Sequence, residues 1–374
     1  MKKILVLIVL LFFAAGSPAV TLKNLYDVSV EVDSQSGAVR NKAIKEAFAN
    51  LLVKVTGMPG VLEQAEGKAL LSKSKNFVRS FRYQQVEQSV VNNVITLFKD
   101  EQEENVLQMQ EEEIEEIIKQ RLIISFDEKA VGNALWKAQL PVWGKTRPST
   151  LLWVVFQDSE KRMLVGANKQ TEIQPYIDEH AAKRGLPLLY PRLDEQDQRN
   201  INVTDVWGAF KEPVKMASSS YDSDAVVTAR LLLDKDNQWE ARWSLFHGED
   251  AEYWRVTATE IQPLLAQGLD ELAQRLAKHY VHVASVNDGD TLVYISDVNN
   301  VFDYNRINKY LNGLAGVKKA ELFEVKANDV VFRLELRSNA KQLRQSIALG
   351  STLASQDQFS VGNQDSRFSY RLKP

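Results

Sequence analysis

Hydrophobic residues recur along this chain with two different periods, one typical of helices and one typical of strands. Apolar residues recur every three or four positions between Val39 and Val55, which predicts an amphipathic helix with Gly57 at its C-terminal cap. A looser version of this pattern predicts a second, basic helix over residues 70–81. Alternation of apolar and polar positions predicts strands around these helices, at residues 25–32, 83–86 and 121–126. This first segment therefore has the pattern of a small α+β unit.

The middle of the chain has the pattern of an α/β domain. The continuous apolar run at 151–156 is typical of a strand buried on both faces. Turn-forming residues at 234–237 predict a hairpin between strands at 225–233 and 239–246. Strands that alternate with helices indicate a sheet covered by helices, and the helical patterns lie at 173–184, 203–217 and 261–280.

The last ninety or so residues predict the order strand–helix–strand–strand–helix–strand. This is the split βαβ, or ferredoxin-like, arrangement. Asp303 and Asn339 are expected to cap its two helices, and the predicted strands are 292–295, 318–325, 330–336 and 368–372. The fold hosts many unrelated activities, so it does not identify a function.

These patterns predict a multi-domain protein that combines α+β and α/β architecture. Two prolines and a glycine within residues 141–148 mark the first boundary. The expected organisation is a signal peptide at 1–19, an α+β domain at 20–140 with an acidic insertion near 99–119, an α/β domain at 149–283 and a ferredoxin-like domain at 285–374.

The beginning of the chain has the features of a secretory signal. Lys2 and Lys3 precede an apolar run at residues 4–15, which is shorter than the roughly 20 residues that span a bilayer. Ser17 and Ala19 supply the small residues of a cleavage site, so we expect cleavage after Ala19. Residues 14–16 offer a second cleavage site three residues earlier, and an uncleaved anchor is the alternative to cleavage. We expect the mature chain to lie in the periplasm without a transmembrane segment.

Charge and composition narrow the classes of partner. The 374 residues carry a formal net charge of −3 and include no cysteine. This balance argues against a nucleic-acid partner, and the missing cysteines exclude disulfides, thiol catalysis and iron–sulfur clusters. Residues 100–116 contain nine acidic residues and no basic one. They form either a cation-binding or partner-docking arm or, as is usual for charge runs, a solvated insertion.

Few residues of this sequence are candidates for a catalytic or metal-binding role. Asp194 and Asp197 follow the end of a strand predicted at residues 186–190, where paired carboxylates could act on a glycan, but an exposed loop is the favoured interpretation. His279 and His282 are close enough to share a metal but lack further ligands at a recognisable spacing. We therefore expect no cofactor and no metal. Five tryptophans offer either a sugar-stacking surface or core residues: Trp143, Trp207, Trp239, Trp243 and Trp254.

Three separated blocks of sequence resemble a family of exported proteobacterial proteins, domain-of-unknown-function family 2066. The first block contains the sequences LYDV, AIKEAF and VKVTG. The second contains LPVWG followed by RP. The third contains GLPLLYP, VWG and a tyrosine that precedes DAV. The resemblance covers residues 22–283 and implies an exported location, with no assigned chemistry and no functional residues to carry over. The middle segment is also faintly similar to the amino-terminal module of TolB, an envelope protein.

Two functions from different classes fit these observations. The first is a non-enzymatic scaffold or adaptor that contacts an envelope protein partner. The second is a periplasmic hydrolase that acts on envelope glycan or peptide through Asp194 and Asp197. An adaptor requires an exposed binding surface, whereas a hydrolase requires both carboxylates to face one pocket.

Overall fold

The fold is that of a computed structural model, which describes residues 20–86, 119–158, 161–167, 171–285, 290–356 and 368–374. The predicted signal peptide at 1–19 and the acidic stretch at 100–116 lie outside these residues. Within the described part of the chain, the helices are too short or too polar to cross a bilayer.

Helices and strands alternate along the described chain, which confirms the predicted combination of α+β and α/β architecture. The helices are α1 (Gly37–Thr56), α2 (Ala65–Ser72), α3 (Glu128–Lys137), α4 (Gln174–Arg184), α5 (Glu195–Asn200), α6 (Val203–Trp207), α7 (Lys211–Ser218), α8 (Ile261–Tyr280), α9 (Val301–Gly313) and α10 (Ala340–Leu349).

The strands of the described residues belong to four sheets. They are β1 (Val20–Thr21), β2 (Asp27–Val32), β3 (Val78–Val86), β4 (Lys119–Phe126), β5 (Thr146–Arg147), β6 (Thr150–Asp158), β7 (Lys161–Val165), β8 (Leu188–Leu189), β9 (Ala225–Leu233), β10 (Trp239–His247), β11 (Asp250–Ala258), β12 (Thr291–Ser296), β13 (Val317–Lys326), β14 (Asp329–Leu336), β15 (Leu353–Ser355) and β16 (Ser369–Leu372).

The chain forms two compact units. The small unit consists of residues 26–52 and 61–134, and the large unit of residues up to 25, 53–60 and 135–374. In the small unit, β4 lies between β2 and β3 in an antiparallel sheet. The apolar stripe of α1 is buried there. Phe48 stacks on Phe77 with ring centroids 4.8 Å apart and also contacts Phe126 at 5.3 Å.

The helix predicted over 70–81 is wrong in its second half. α2 ends at Ser72, a 3₁₀ turn covers Ser74–Phe77, and β3 begins at Val78. Two tertiary interactions override the helical pattern. Phe77 enters the core beside Phe48, and the residues after it pair with β4, for example Tyr83 with Leu122. Local propensity is a weak determinant against such pairing.

A buried arginine organises the first part of the large unit. Arg147 is fully buried, and its guanidinium donates hydrogen bonds to the carbonyl oxygens of Gly144, Trp143 and Lys54 at 2.7, 3.1 and 3.0 Å. The guanidinium carbon lies 3.6 Å from the centre of the Trp143 ring. The backbone N–H of Trp143 donates to Val55 O at 2.7 Å. The last carbonyl groups of α1 are therefore capped by this pair.

The main sheet of the large unit has the order β11-β10-β9-β6-β7, and β8 pairs with the start of β6. β6 runs parallel to β9 and β8, and the other pairs are antiparallel. One face packs on α8 and α4 through residues such as Trp243, Leu269 and Ile177. Part of the opposite face packs on α6, α7 and the residues that flank α5, around Trp153 and Val206.

The single helix predicted over 203–217 is instead two short helices, α6 and α7. Ala209 between them has a left-handed backbone with φ of 51°. The Phe210 ring lies against Gly208, only 2.8 Å from where a Cβ would stand, and the Phe210 N–H donates to Asp205 O. The close approach of this ring to Gly208 accompanies the break in the helix.

The sheet of residues 290–374 extends the predicted ferredoxin-like order by one strand. Its order is β13-β14-β12-β16-β15. β15 follows α10 at the sheet edge, and the predicted last strand, β16, lies between β15 and β12 and runs parallel to β12. The Asn339 cap is confirmed, because its side chain accepts from Gln342 N. Asp303 is not the cap of α9; Asn300 is, and it accepts from Asp303 N.

The segment after α8 is held by a buried histidine. His282 is 2 % exposed, its Nδ1 lies 2.9 Å from Ser338 Oγ and its Nε2 lies 2.7 Å from Ser346 Oγ. A Cβ on Gly316 would stand 2.4 Å from His282 Nδ1, so only glycine fits against this ring. Burial lowers the pKa of His282 from 6.5 to about 4.

We expect Gly57→Ala to destabilise the protein. Gly57 has φ of 69°, and an added Cβ would stand 2.3 Å from Ala277 Cβ and 3.2 Å from Trp143 Cε3. Left-handed strain and overpacking each cost about 1–3 kcal/mol. The matched control is Gly132→Ala in α3, where no atom lies within 4 Å of the added Cβ. The control should gain up to about 1 kcal/mol from helix propensity. Urea unfolding measures both, and equal effects would contradict this packing.

We expect the protein to lose stability as the pH decreases, because of His282. The folded-state pKa of about 4 is below the unfolded value of 6.5, so the unfolded state binds more protons between these values. Stability is therefore lost as pH falls through 6.5, and the loss is complete below about 4. It amounts to about 3 kcal/mol. His282→Gln should lack this component. Parallel stability curves for the two proteins between pH 7 and pH 4 would refute the assignment.

Candidate functional site

Three arginines form a row across neighbouring strands of the main sheet. Arg242 on β10 lies directly opposite Arg255 on β11 and directly opposite Arg230 on β9. Neighbouring strands are about 4.8 Å apart, so the three side chains leave the same face of the sheet within roughly 10 Å. We call Arg230, Arg242 and Arg255 the arginine row.

The turn between β9 and β10 determines this register. Asp234 Oδ1 accepts hydrogen bonds from the backbone N–H groups of Asp236 and Gln238, at 2.9 and 2.8 Å. Asn237 has the positive φ of 56° that asparagine tolerates in turns. With the turn fixed, Leu233 pairs with Trp239, and Arg230 must face Arg242. The predicted hairpin at 234–237 is thus also the element that brings the first two arginines together.

A fourth arginine lies near the same surface and shares an aromatic ring with the row. The guanidinium carbons of Arg162 and Arg230 lie 4.1 and 5.2 Å from the centre of the Trp207 ring. Arg162 Nε also donates to Gln157 Oε1 at 3.1 Å. Trp207 is the last residue of α6. The end of this helix therefore lies beside the arginine row, next to Arg230.

One carboxylate lies among these four positive charges. Glu240 accepts from Arg242 Nε and lies 2.6 Å from Arg255 Nη2. The Glu240 side chain is 15 % exposed, whereas those of Arg242 and Arg255 are 53 % and 60 % exposed. Glu240 therefore orients two guanidinium groups while leaving them accessible to solvent.

The electrostatics of the row reflect this excess of positive charge. The pKa of Arg230 is lowered, mainly by burial and further by the neighbouring guanidinium groups of Arg242 and Arg162, whereas Glu240 raises it. Like charges directly opposite each other destabilise a sheet. A bound anion would relieve this repulsion. Guanidinium groups are suited to carboxylates and phosphates, to which they donate two parallel hydrogen bonds.

The carboxylates considered from the sequence have local structural partners. Asp194 is the N-cap of α5 and accepts from the backbone N–H groups of Gln196 and Asp197, each at 3.0 Å. These hydrogen bonds, that of Asp197 first, and Arg192 lower the pKa of Asp194. Asp197 is buried and accepts from Leu193 N at 2.8 Å and from the Tyr221 hydroxyl. Both side chains therefore stabilise the turn into α5.

The two histidines considered as metal ligands lie in different surroundings. His279 has its ring centre 4.9 Å from that of His247, and its Nε2 is 3.6 Å from Glu252. His282 is bound to Ser338 and Ser346 instead. Across the described residues, no group of three or more histidine, aspartate or glutamate side chains is arranged to hold a metal ion.

The tryptophans are mostly core residues rather than a stacking surface. Trp143 and Trp243 are 1 % exposed. Trp254 stacks on Trp243, with ring centres 5.8 Å apart, and Trp239 stacks on Phe156 at 5.9 Å. Trp207 differs, because two guanidinium groups contact it. Trp207, one of the five tryptophans considered from the sequence, therefore contacts the arginine row.

Comparison with known proteins gives a partial assignment. A family model described as "Domain of unknown function (DUF8605)" matches residues 19–144. This supports the expectation that the chain carries a domain of unknown function; the likeness to family 2066 and to TolB stays a prediction. No curated protein matches the chain.

Two solved structures resemble parts of the chain. The N-terminal domain of Protein Y from Thermus thermophilus is 9 % identical, with 36 % of this chain and 98 % of that domain covered and a TM-score of 0.19. An uncharacterized protein is 11 % identical, with coverage of 35 % and 97 % and a TM-score of 0.16. Similarities this low do not bear on function. The family model covers a segment that precedes the arginine row.

Proposed function

We propose that this protein is a non-enzymatic adaptor in the periplasm that binds an acidic segment of an envelope protein on its arginine row. The observation that carries this proposal is the alignment of Arg230, Arg242 and Arg255 on adjacent strands with Glu240 as their neighbouring carboxylate. Arginines directly opposite one another repel, and the single carboxylate of Glu240 contacts two of the three. Binding to an anion gives them a role.

The surroundings of the row favour a protein as the anion. Arginine, tryptophan and tyrosine are the residues most enriched at protein-binding hot spots. Trp207 contacts Arg162 and Arg230, and Tyr253, two residues before Arg255 on β11, is 62 % exposed. The chain as a whole carries a net charge of −3. That charge opposes a long polyanion such as nucleic acid more than a short acidic peptide confined to the row.

The hydrolase alternative has less support. Asp194 and Asp197 both take part in hydrogen bonds that begin α5, and Asp197 is only 1 % exposed. A glycosidase pair instead needs two carboxylates that flank the scissile bond. The periplasmic location rests on the sequence pattern of residues 1–19.

We expect the mature protein to begin at Val20, because only there do small residues at both required positions follow a complete apolar run. Amino-terminal sequencing of the protein recovered from a periplasmic fraction would give Val-Thr-Leu-Lys. The membrane fraction of the same cells serves as the control. Recovery of a chain that still begins at Met1 would contradict cleavage and favour the anchored alternative.

Binding of an acidic peptide should depend on the arginine row. The probe is a fluorescent twelve-residue peptide of alternating glutamate and serine, whose glutamates alternate like the side chains of one strand face. Fluorescence anisotropy should show binding that weakens with added salt, because exposed charges are screened. Arg242→Gln should weaken binding about tenfold. The substitution removes a charge-assisted hydrogen bond that contributes about 1.5–3 kcal/mol, and a hydrogen bond to water compensates for part of this loss.

The matched control is Arg199→Gln, an exposed arginine of α5 that pairs with Glu195. This variant should bind the peptide like the wild type. The thermal midpoint of Arg242→Gln should change little, because the substitution removes opposed like charges and also one of the two ion pairs of Glu240. Equal affinities for the two variants, or equal binding of a glutamine–serine peptide, would sink the proposal.

A further inference from the structure

The last strand of the arginine row lies at the edge of the main sheet. β11 pairs with β10 on one side, and among the described residues no strand pairs with its other side. Its nine residues form a continuous ladder with β10, without a register shift. An edge strand presents a row of unpaired backbone N–H and C=O groups, which are a template for another strand. The edge of β11 can therefore accept an additional strand.

β11 lacks the features that protect other sheet edges of this protein. β7, at the opposite edge of the main sheet, has only five residues and begins with a lysine and an arginine. β15 has three residues, and β13 has three lysines and two register shifts. Short strands, lysines and bulges all hinder pairing with a further chain. The sequence of β11 is DAEYWRVTA, which contains no lysine and no proline.

The hydrogen bonds of the sheet determine which backbone groups of β11 point outward. Asp234 N donates to Gln238 O at 2.9 Å, so the even-numbered residues of β10 direct their backbone groups toward β9. The odd-numbered residues of β10 then bond to β11, where their partners are even-numbered. The N–H and C=O groups of Tyr253, Arg255 and Thr257 consequently point to the open edge.

The side chains of these residues lie on the face that carries the arginine row. Successive side chains of a strand alternate between the two faces, so Tyr253 and Thr257 share the face of Arg255. The side chain of Arg255 is 60 % exposed. Residues directly opposite each other in an antiparallel pair place their side chains on the same face. A residue that bonds to the backbone of Arg255 would therefore have its side chain beside the guanidinium.

The charges at this position favour an acidic residue. Arg255 shares the carboxylate of Glu240 with Arg242, so a second carboxylate would add to the negative charge beside two guanidinium groups. Opposite charges that face each other across two strands stabilise a sheet. Glu252 of β11 lies on the other face, where Arg275 Nε is 3.4 Å from its carboxylate. It therefore does not oppose an acidic chain on the face of the arginine row.

We infer that the acidic segment joins the main sheet as an additional antiparallel strand along β11, with an acidic residue opposite Arg255. Backbone hydrogen bonds to residues 253, 255 and 257 provide affinity, and acidic side chains at alternate positions provide specificity. The antiparallel direction continues that of β9, β10 and β11 and gives the more stable pairing. This inference rests on the proposed adaptor function and adds the way in which the segment binds.

N-methylated forms of the glutamate–serine peptide test the strand addition. In the antiparallel arrangement the glutamates lie opposite Arg255 and direct their N–H groups to β11, whereas the N–H groups of the serines point away. A peptide methylated at the backbone nitrogens of three central glutamates should bind the mature full-length chain at least about tenfold more weakly than the unmodified peptide, because three hydrogen bonds are lost. The matched control carries the methyl groups on three central serines and should bind like the unmodified peptide in fluorescence anisotropy.

Each outcome separates the binding mode from the adaptor function. Equal affinities of the two methylated peptides would overturn strand addition and leave binding to the arginine row intact. Weaker binding of the serine-methylated peptide would indicate a parallel strand and overturn the antiparallel arrangement. If the unmodified peptide does not bind, the adaptor proposal fails and this inference fails with it.

Two variants of Thr257 test whether the edge is that of β11. Thr257→Pro removes an N–H group that points to the open edge, and proline is tolerated on edge strands. It should weaken binding of the unmodified peptide about tenfold, because the hydrogen bond is lost and the proline ring occupies the edge. Thr257→Val keeps the N–H group and should bind like the wild type. Equal affinities of the two variants would overturn the assignment to β11. Should Thr257→Pro not fold, the methylated peptides decide alone.

Discussion

The burial of one guanidinium group is the constraint on which the large unit depends. Arg147 reaches three carbonyl oxygens that belong to Lys54, Trp143 and Gly144, and it stacks on the Trp143 ring. A buried charge is tolerated only when it is hydrogen-bonded in this way. The same contacts cap the end of α1 and hold the backbone of Lys54. Removal of the guanidinium would therefore affect a helix end and a tryptophan together.

Much of this fold follows from local sequence pattern. α8 occupies 261–280 as predicted, and Gly57 and Asn339 have the predicted roles at helix ends. The errors have tertiary causes. Residues 78–81 pair with β4 although their spacing suits a helix, and the added strand β15 is only three residues long. Short elements of this kind carry too few residues for a periodicity to be recognised.

Part of the candidate site could be predicted from the sequence. The turn at 234–237 fixes which residues of β9 and β10 face each other, so the opposition of Arg230 and Arg242 could be derived from the hairpin alone. The contact of Arg162 with Trp207 could not be derived in this way. These residues lie on β7 and α6, which are brought together only by packing. The arginine row also places like charges directly opposite one another, which destabilises a sheet. Such departures from the rules of stability are expected at functional sites.

The position of β16 has a consequence for the order in which the sheet of residues 290–374 assembles. Ile295 on β12 pairs with Tyr370 on β16, and β15 has β16 as its neighbour in the sheet. The hairpin of β13 and β14 closes a short loop and can form early, whereas the β12–β16 pair closes a much longer one. Non-local pairing of this kind slows folding. Until residues 369–372 arrive, β12 presents an open edge, so this half of the sheet is the part most exposed to mispairing while the chain folds.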